Sequence, residues 1–276
     1  MTLQEFFNWA QPLLEKSGIT NARQELFWLL EEWGGFAKTA LLLKPQSVLE
    51  EALVLKLTEG IDKRAKRVPL QYILGKAEFL NWSFRVGPGV LIPRPETELL
   101  THWAAANAVE NCSVLEIGSG SGCLSIALAL ARPDLTITAS DISSTALHYT
   151  RLNAGALLPP SARFHALFSD VFSHIEGKYQ LILSNPPYLT AEDMLAIAPE
   201  LTHEPSLALS PGEDGLALYR KIASQASDFL LPGGYIALEI GYNIYEPVLA
   251  LFKNYQHIKT LHDYAHIPRV VIFQFP

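Results

Sequence analysis

Three short stretches hold the residue types from which a site can be built. The first is Asn185-Pro186-Pro187-Tyr188. Two successive prolines fix their own φ, remove two N–H donors and push Asn185 out of the α region. What remains is a rigid turn with free carbonyl acceptors, an amide side chain with a donor end and an acceptor end, and an aromatic face beside it. A plain strand-ending turn accounts for the prolines but not for the Asn or the Tyr. The second stretch is Glu116-Ile117-Gly118-Ser119-Gly120-Ser121-Gly122. Its glycines let backbone approach a ligand closely at the start of a helix, and a carboxylate at the head of the loop accepts from hydroxyl or ammonium groups. A dinucleotide loop needs glycine at the first, third and sixth places; here Gly122 is fifth and Cys123 is sixth, so a pyrophosphate is disfavoured. The third set is acidic. Asp141 stands 23 residues past Gly118, where nucleoside-binding folds place an acid for ribose hydroxyls, and it is equally placed to cap the next helix. Asp170, with Val171 and Phe172 after it, combines an acid with apolar surface, suited to an aromatic base and equally to an ordinary loop.

All of these residues follow short apolar segments. Beyond residue 110 the segments SVLEIG, LTITASD, ARFHALFSD, YQLILSN, GYIALEIG and VVIFQF alternate with helical patterns. Strands that are apolar almost throughout predict a mostly parallel sheet covered by helices on both faces, with ligands outside the carboxyl ends of its strands. The first third differs. Apolar spacing predicts a helix over 3–16, a second starting at an Asn21/Gln24 capping box and ending at Gly34 and Gly35, and a third through SVLEEALVLKLTEGIDKRAKR. The cationic tail of the third, Lys63, Arg64, Lys66 and Arg67, reads as a partner-binding patch or, more plainly, as a solvated face favoured at a helix C-terminus. Between the two regions AEFLNWSFRVGPGVLI carries a hairpin signal around Gly87, Pro88 and Gly89, and PRPETELLTHWAAAN then opens a helix at Pro95.

The chain has 276 residues, 49% of them hydrophobic and 18% charged, which is globular composition and excludes disordered, collagen-like and disulfide-rich classes. No run of apolar residues is long enough to span a bilayer and the first segment lacks a basic leader, so a soluble, cytoplasmic protein is expected. Cys112 and Cys123 have no partners at metal-ligand spacing and read as small core residues. Residues 1–75 carry nine basic and nine acidic residues, so the whole net charge of −7 falls on 76–276, which disfavours a nucleic-acid backbone as the main ligand of that part.

The loop GSGSG behind an acid resembles the cofactor loop of Rossmann-like S-adenosylmethionine methyltransferases. The set EIGSGSG, ASDIS, FSDVF and SNPPY is similar to the amino-methyltransferases of planar nitrogens, a group that includes DNA adenine and protein glutamine enzymes. PLQYILG, FRVGPGVLIPRPETE, HEPSLALSPGEDGLALYR, LPGGYIALEIG and the closing RVV resemble, in order and spacing, the PrmC/HemK family, strongly over 69–276 and weakly before it. Two positions depart from that pattern: Ile244 stands where the family often has Gln, and His266 where it has Gly.

The resemblance implies an α/β fold: a Rossmann-like class I methyltransferase domain over 93–276, a small all-helical substrate-recognition domain over 1–75, and a β-hairpin linker over 76–92. It implies S-adenosyl-L-methionine held by Glu116, Gly118, Ser119, Gly120, Ser121, Gly122, Asp141, Asp170, Val171 and Asn185, without a metal. It implies catalysis by Asn185, Pro186 and Tyr188, with Pro187 completing the substrate-binding turn. The implied substrate is the glutamine of the Gly-Gly-Gln motif of class I peptide chain release factors, with adenine of DNA or RNA as the rival acceptor. A monomer without stable nucleic-acid or membrane binding is expected.

Overall fold

The computed structural model describes residues 1–209, 212 and 214–276. The run HEPSLALSPGEDGLALYR therefore lies partly outside the described residues, at Ser210, Pro211 and Glu213. The chain forms two compact units. One comprises Met1–Gly75 together with Ala198–His203, and the other Lys76–Ile197 with Glu204–Pro276. Six residues from the second half of the chain, Ala198–His203, thus cluster with the helices.

The helical unit contains α1 (Leu3–Lys16), α2 (Ala22–Gly34), the short α3 (Ala40–Leu43), α4 (Glu51–Ala65) and α5 (Leu70–Leu74). Leu3, Phe6, Phe7, Ala10 and Leu14 of α1 recur at helical spacing and pack with Leu26, Leu29, Leu30, Leu57 and Ile61 in one core. The capping box occurs at Thr2 and Glu5 rather than at Asn21, whose side chain makes no cap bond. The cationic tail of α4 is not simply a solvated face. Arg64 is buried on Glu25, with Nε to Oε2 at 2.6 Å, and also reaches Glu200 at 3.0 Å. Arg67 meets Glu200 at 2.7 Å and donates to the carbonyls of Ser17 and Gly18. These contacts tie Ala198–His203 into the helical unit.

The second unit begins with a two-stranded ribbon, β1 (Lys76–Phe79) and β2 (Trp82–Arg85). Its turn is Leu80-Asn81, with Leu80 at φ 52°, and Gly87-Pro88-Gly89 lies beyond the second strand. Then follow α6 (Thr97–Asn107), β3 (Ser113–Ile117), α7 (Cys123–Ala131), β4 (Thr136–Asp141), α8 (Ser144–Leu157), β5 (Arg163–Phe168) and β6 (Tyr179–Ser184). The chain closes with α9 (Ser206–Leu209), α10 (Ala217–Gln225), β7 (Leu230–Glu239), α11 (Tyr245–Leu251), β8 (Gln256–His262) and β9 (Pro268–Gln274). The sheet order is β5-β4-β3-β6-β7-β9-β8, parallel from β5 through β7 and antiparallel at β9. This is the expected mostly parallel α/β fold with one strand more than the apolar runs predict. The additional strand, β8, sits at the sheet edge with most of its side chains exposed, so it lacks the continuous apolar run of its neighbours.

Leaving β3, the chain turns to β4 and β5 on one side and returns to β6 on the other, so the topological switch point lies between β3 and β6. Their carboxyl ends are pinned together. Ser184 Oγ donates to the Ile117 carbonyl at 2.7 Å and Ser140 Oγ to the Glu116 carbonyl at 2.9 Å. The glycine loop and the Asn185 turn are thereby fixed side by side. No helix among the described residues is long and apolar enough to cross a membrane.

Candidate active site

A cavity of about 270 Å³ opens at the switch point. From the glycine loop it is lined by Glu116, Gly118, Ser119, Gly120 and Ser121, and from the later strand ends by Asp141, Asp170, Asn185 and Pro187. Gly122, Val171, Pro186 and Tyr188 do not line it. Gly122 instead packs between α7 and α8, where a Cβ would meet Ile126 and Thr150. Val171, at φ 53°, is buried in the core beside Phe172, whose ring stacks on Phe229 at 4.5 Å, so the apolar pair after Asp170 serves packing.

The glycine loop is built for shape rather than for anions. Gly118 and Ser119 donate their N–H groups to the Ser140 carbonyl, Gly120 to Asp141 Oδ2 at 2.9 Å, and Gly122 to the Ser119 carbonyl. With those donors engaged the loop offers few free N–H groups to a phosphate. Gly118 and Gly120 adopt φ 76° and 56°, a conformation that favours glycine, and a Cβ at either would meet no atom within 4 Å. Their bare backbone borders open space that a side chain would fill.

Among the described residues, two buried polar atoms on the cavity wall have no hydrogen-bond partner: Glu116 Oε2 and Ser121 Oγ. Glu116 is 3% exposed, and burial pushes its carboxyl up to about 8, an effect that a bond from Ser125 partly offsets. An unpartnered buried carboxylate oxygen is costly and calls for a ligand that donates to it, most effectively a cation. Asp141 lines the cavity and does not itself cap the next helix. Its Oδ1 accepts from Ser143 N–H at 2.8 Å and its Oδ2 from Gly120, fastening the β4 end to the glycine loop, while helix α8 is capped by Ser143. Burial raises its carboxyl above the usual range. Asp170 is half exposed and paired with Lys221, at 3.0 and 3.1 Å from its two oxygens.

Asn185 presents its amide to the cavity, and its Nδ2 donates to Thr97 Oγ1 at 3.1 Å. Thr97 Oγ1 in turn donates to Glu239 Oε2 at 2.6 Å. Glu239 is 1% exposed at the carboxyl end of β7, and burial lifts its carboxyl to about 7. The Pro186 carbonyl accepts no hydrogen bond among the described residues. The Tyr188 ring lies on Gly241, where a Cβ would sit 2.8 Å from it, and burial, then Glu239 and Glu96, push its phenol up to about 12. Arg94, also on the cavity wall, pairs with buried Glu204 at 2.6 Å, and Glu204 accepts from Ile92 N–H as well.

Thr97, Glu239, Arg94 and Lys221 were not singled out from the sequence. The first three sit within runs that carry the family resemblance, PRPETE and ALEIG, and Glu239 ends β7, the strand next to β6. His266 also gains a reason. It adopts φ 59°, the left-handed region that favours the glycine of the family pattern and that His enters more readily than most residues. Ile244, the other departure, is a buried core residue preceding α11.

Among known proteins, residues 95–215 match the family model of the methyltransferase small domain and residues 5–75 that of the PrmC N-terminal domain. The chain is 35% identical to the release factor glutamine methyltransferase of Geobacter sulfurreducens, over 98% of this chain and 95% of that one. It is 43% identical to the enzyme of that name from Streptococcus pneumoniae over 75% of each. A methyltransferase structure from Pyrococcus furiosus superposes with a TM-score of 0.54 at 16% identity, covering 82% of this chain and 98% of its own, which is a likeness of fold. With a glycine loop, an unpartnered carboxylate and an Asn-Pro-Pro-Tyr turn meeting at one switch point, and with relatives alike along nearly its whole length, the chain belongs to the release factor glutamine methyltransferase family.

Proposed function

We propose that the protein transfers the methyl group of S-adenosyl-L-methionine to the side-chain amide nitrogen of the Gly-Gly-Gln glutamine of class I release factors. The observation that carries this reading is the joint lining of one cavity by Glu116, Gly118, Gly120, Asp141 and Asn185. The cofactor supplies an electrophilic methyl group on a positively charged sulfonium. The unpartnered Oε2 of Glu116 and the side-chain-free backbone at Gly118 and Gly120 fit such a cationic nucleoside. Asp141 accepts from its ribose hydroxyls, its oxygens each having a second lone pair beyond the loop bonds. Asp170 meets the base once Lys221 shares or releases it.

A carboxamide nitrogen is a poor nucleophile because its lone pair is delocalised into the carbonyl, so catalysis is positioning. Asn185 Oδ1 and the Pro186 carbonyl accept the two hydrogens of the target amide and direct its lone pair toward the methyl. Positive charge growing on that nitrogen meets two preplaced acceptors, which together with orientation supplies several kcal/mol. Tyr188, fixed on Gly241, completes the turn and keeps water from it. Asn185 Oδ1 accepts no hydrogen bond from the described residues.

In this reading residues 1–75 form the domain that recognises the release factor, 76–92 link it to the catalytic domain over 93–276, and the protein acts as a cytoplasmic monomer. DNA or RNA adenine is the weaker acceptor, because the −7 of residues 76–276 opposes a phosphate backbone at the catalytic unit. Incubation with methyl-labelled cofactor and separate pools of release factor, DNA and RNA is expected to label the release factor alone, with mass spectrometry placing the methyl on the glutamine. Label in nucleic acid instead would overturn the assignment.

A further inference from the structure

We propose that Thr97 and Glu239 are positioning residues that fix which end of the Asn185 amide faces the acceptor, an inference that rests on the reaction proposed above. The two ends of an Asn amide have nearly the same shape, and its orientation is decided by its hydrogen-bond partners. Here the partners leave little choice. Once ionised, the Glu239 carboxylate only accepts, so its Oε2, at 2.6 Å from Thr97 Oγ1, takes the single hydroxyl hydrogen of Thr97. The hydroxyl is left with lone pairs alone, and one of these faces Asn185 at 3.1 Å. Only the NH₂ end of Asn185 can satisfy it. Oδ1 is thereby turned away from Thr97 as the end available to a ligand.

The Thr97–Glu239 link is buried and the Asn185–Thr97 link part-buried. Thr97 is 4% and Glu239 1% exposed, so water does not substitute readily for a missing partner. These residues come from distant parts of one unit: Thr97 is the first residue of α6, Asn185 follows β6 and Glu239 ends β7, next to β6 in the sheet. The backbone around Glu239 is held as well, because its carbonyl accepts from Tyr219 Oη at 2.7 Å. If Thr97 were reversed to donate to Asn185, the amide would present its NH₂ end to the cavity. The target amide would then meet a donor where it needs an acceptor.

Thr97→Val keeps the shape and removes the hydroxyl. It is expected to lower single-turnover methyl transfer about 10- to 100-fold, the scale of one oriented buried hydrogen bond, with cofactor affinity by titration changed less than about threefold. Thr97→Ser restores the hydroxyl and transfer with it. Glu239→Gln, which offers Thr97 a donor as readily as an acceptor, gives a smaller loss of about 3- to 10-fold. A double-mutant cycle separates positioning from packing: in an Asn185→Ala background Thr97→Val should cost nothing further, whereas a purely structural defect would add. Independently of any substrate, the Asn185 side-chain amide resonances in ¹⁵N NMR of the protein should move in Thr97→Val and return in Thr97→Ser. Wild-type protein that labels no release factor overturns the proposed substrate and leaves the resonances to judge Thr97. Labelling by the wild type with an unchanged rate in Thr97→Val, additive losses in the cycle, or unmoved resonances each overturn the positioning role.

Discussion

At Asn185 the donor end is bonded to Thr97 and the residue lines the cavity, so two changes at this position have different expected consequences under the proposed orientation. Asn185→Ala removes the acceptor and leaves Glu116, Gly120 and Asp141 in place to hold the cofactor. Transfer should fall at least about a hundredfold with little change in cofactor affinity. Asn185→Asp keeps an acceptor of nearly the same shape but brings an anion against Thr97, whose hydrogen already belongs to Glu239. A second carboxylate sharing that hydroxyl is repelled and loses its anchor, so Asp should retain little more activity than Ala. Single-turnover transfer beside cofactor titration checks both, and an Asp variant close to wild type would mean that Thr97 does not anchor the amide. The Asn185 turn and the glycine loop were legible in the sequence because proline and glycine act through local backbone rules. The partners of Asn185 were not, since Thr97 and Glu239 are 142 residues apart in the chain and meet only in the folded sheet. The same holds for Val171 and Phe172, where an apolar pair after an acid reads alike for a base-binding wall and for a core, and the fold buries both.

At the scale of elements, apolar runs located six strands of the large sheet and missed β8. β8, at the sheet edge, has only Ile258 and Leu261 among polar residues, and its pairing to β9 is what makes it a strand. The turn after it rests on Asp263, which accepts from Ala265 and Ile267 N–H and pairs with Arg269 at 2.8 Å. A similar failure hid the role of α4. Lys and Arg at a helix C-terminus look alike in sequence whether they face water or an acid from elsewhere, yet Arg64 is 5% and Glu25 4% exposed. Removing one partner of a buried, bidentate pair leaves an uncompensated charge, so Arg64→Ala should destabilise the helical unit by about 3–5 kcal/mol. Replacing both partners at once, with Glu25→Leu and Arg64→Met, should recover most of that loss, because Glu200 keeps Arg67. Urea denaturation of the full chain, followed by hydrogen exchange in α2 and α4, measures both. A single variant as stable as wild type would show the pair to be solvated in solution.

For the whole molecule, the two carboxylates at the ends of β3 and β7 dictate an uncommon pH dependence. Burial lifts Glu116 to about 8 and Glu239 to about 7, whereas in the unfolded chain both titrate near 4.5. Between 4.5 and those values the native state keeps protons that the unfolded chain has released, so stability falls as pH rises through this window. Other acids act in the opposite sense. Glu200, Asp193 and Asp263 are held below the usual range by Arg67, Thr190 and Arg269 respectively, and the stability they contribute is lost as pH falls below about 4. The melting temperature should therefore peak near pH 5. Each tenfold change in proton affinity between the folded and unfolded states corresponds to about 1.4 kcal/mol, and each kcal/mol to about 2–4 °C for a domain of this size. On that scale the melting temperature should fall by roughly 10–25 °C on going to pH 8. Glu116→Gln and Glu239→Gln should each flatten the decline, since an amide has no proton to retain. A cationic cofactor acts on Glu116 alone: its binding favours the ionised carboxylate, so it should release a proton near pH 7 and tighten as pH rises toward 8, and Glu116→Gln should abolish both effects. Titration calorimetry in buffers of different ionisation enthalpy reads the proton directly. A decline in melting temperature that persists unchanged in both Gln variants, or binding without proton release in the wild type, would show that these carboxylates are already ionised in the fold and that the unpartnered oxygen of Glu116 is not what receives the cofactor.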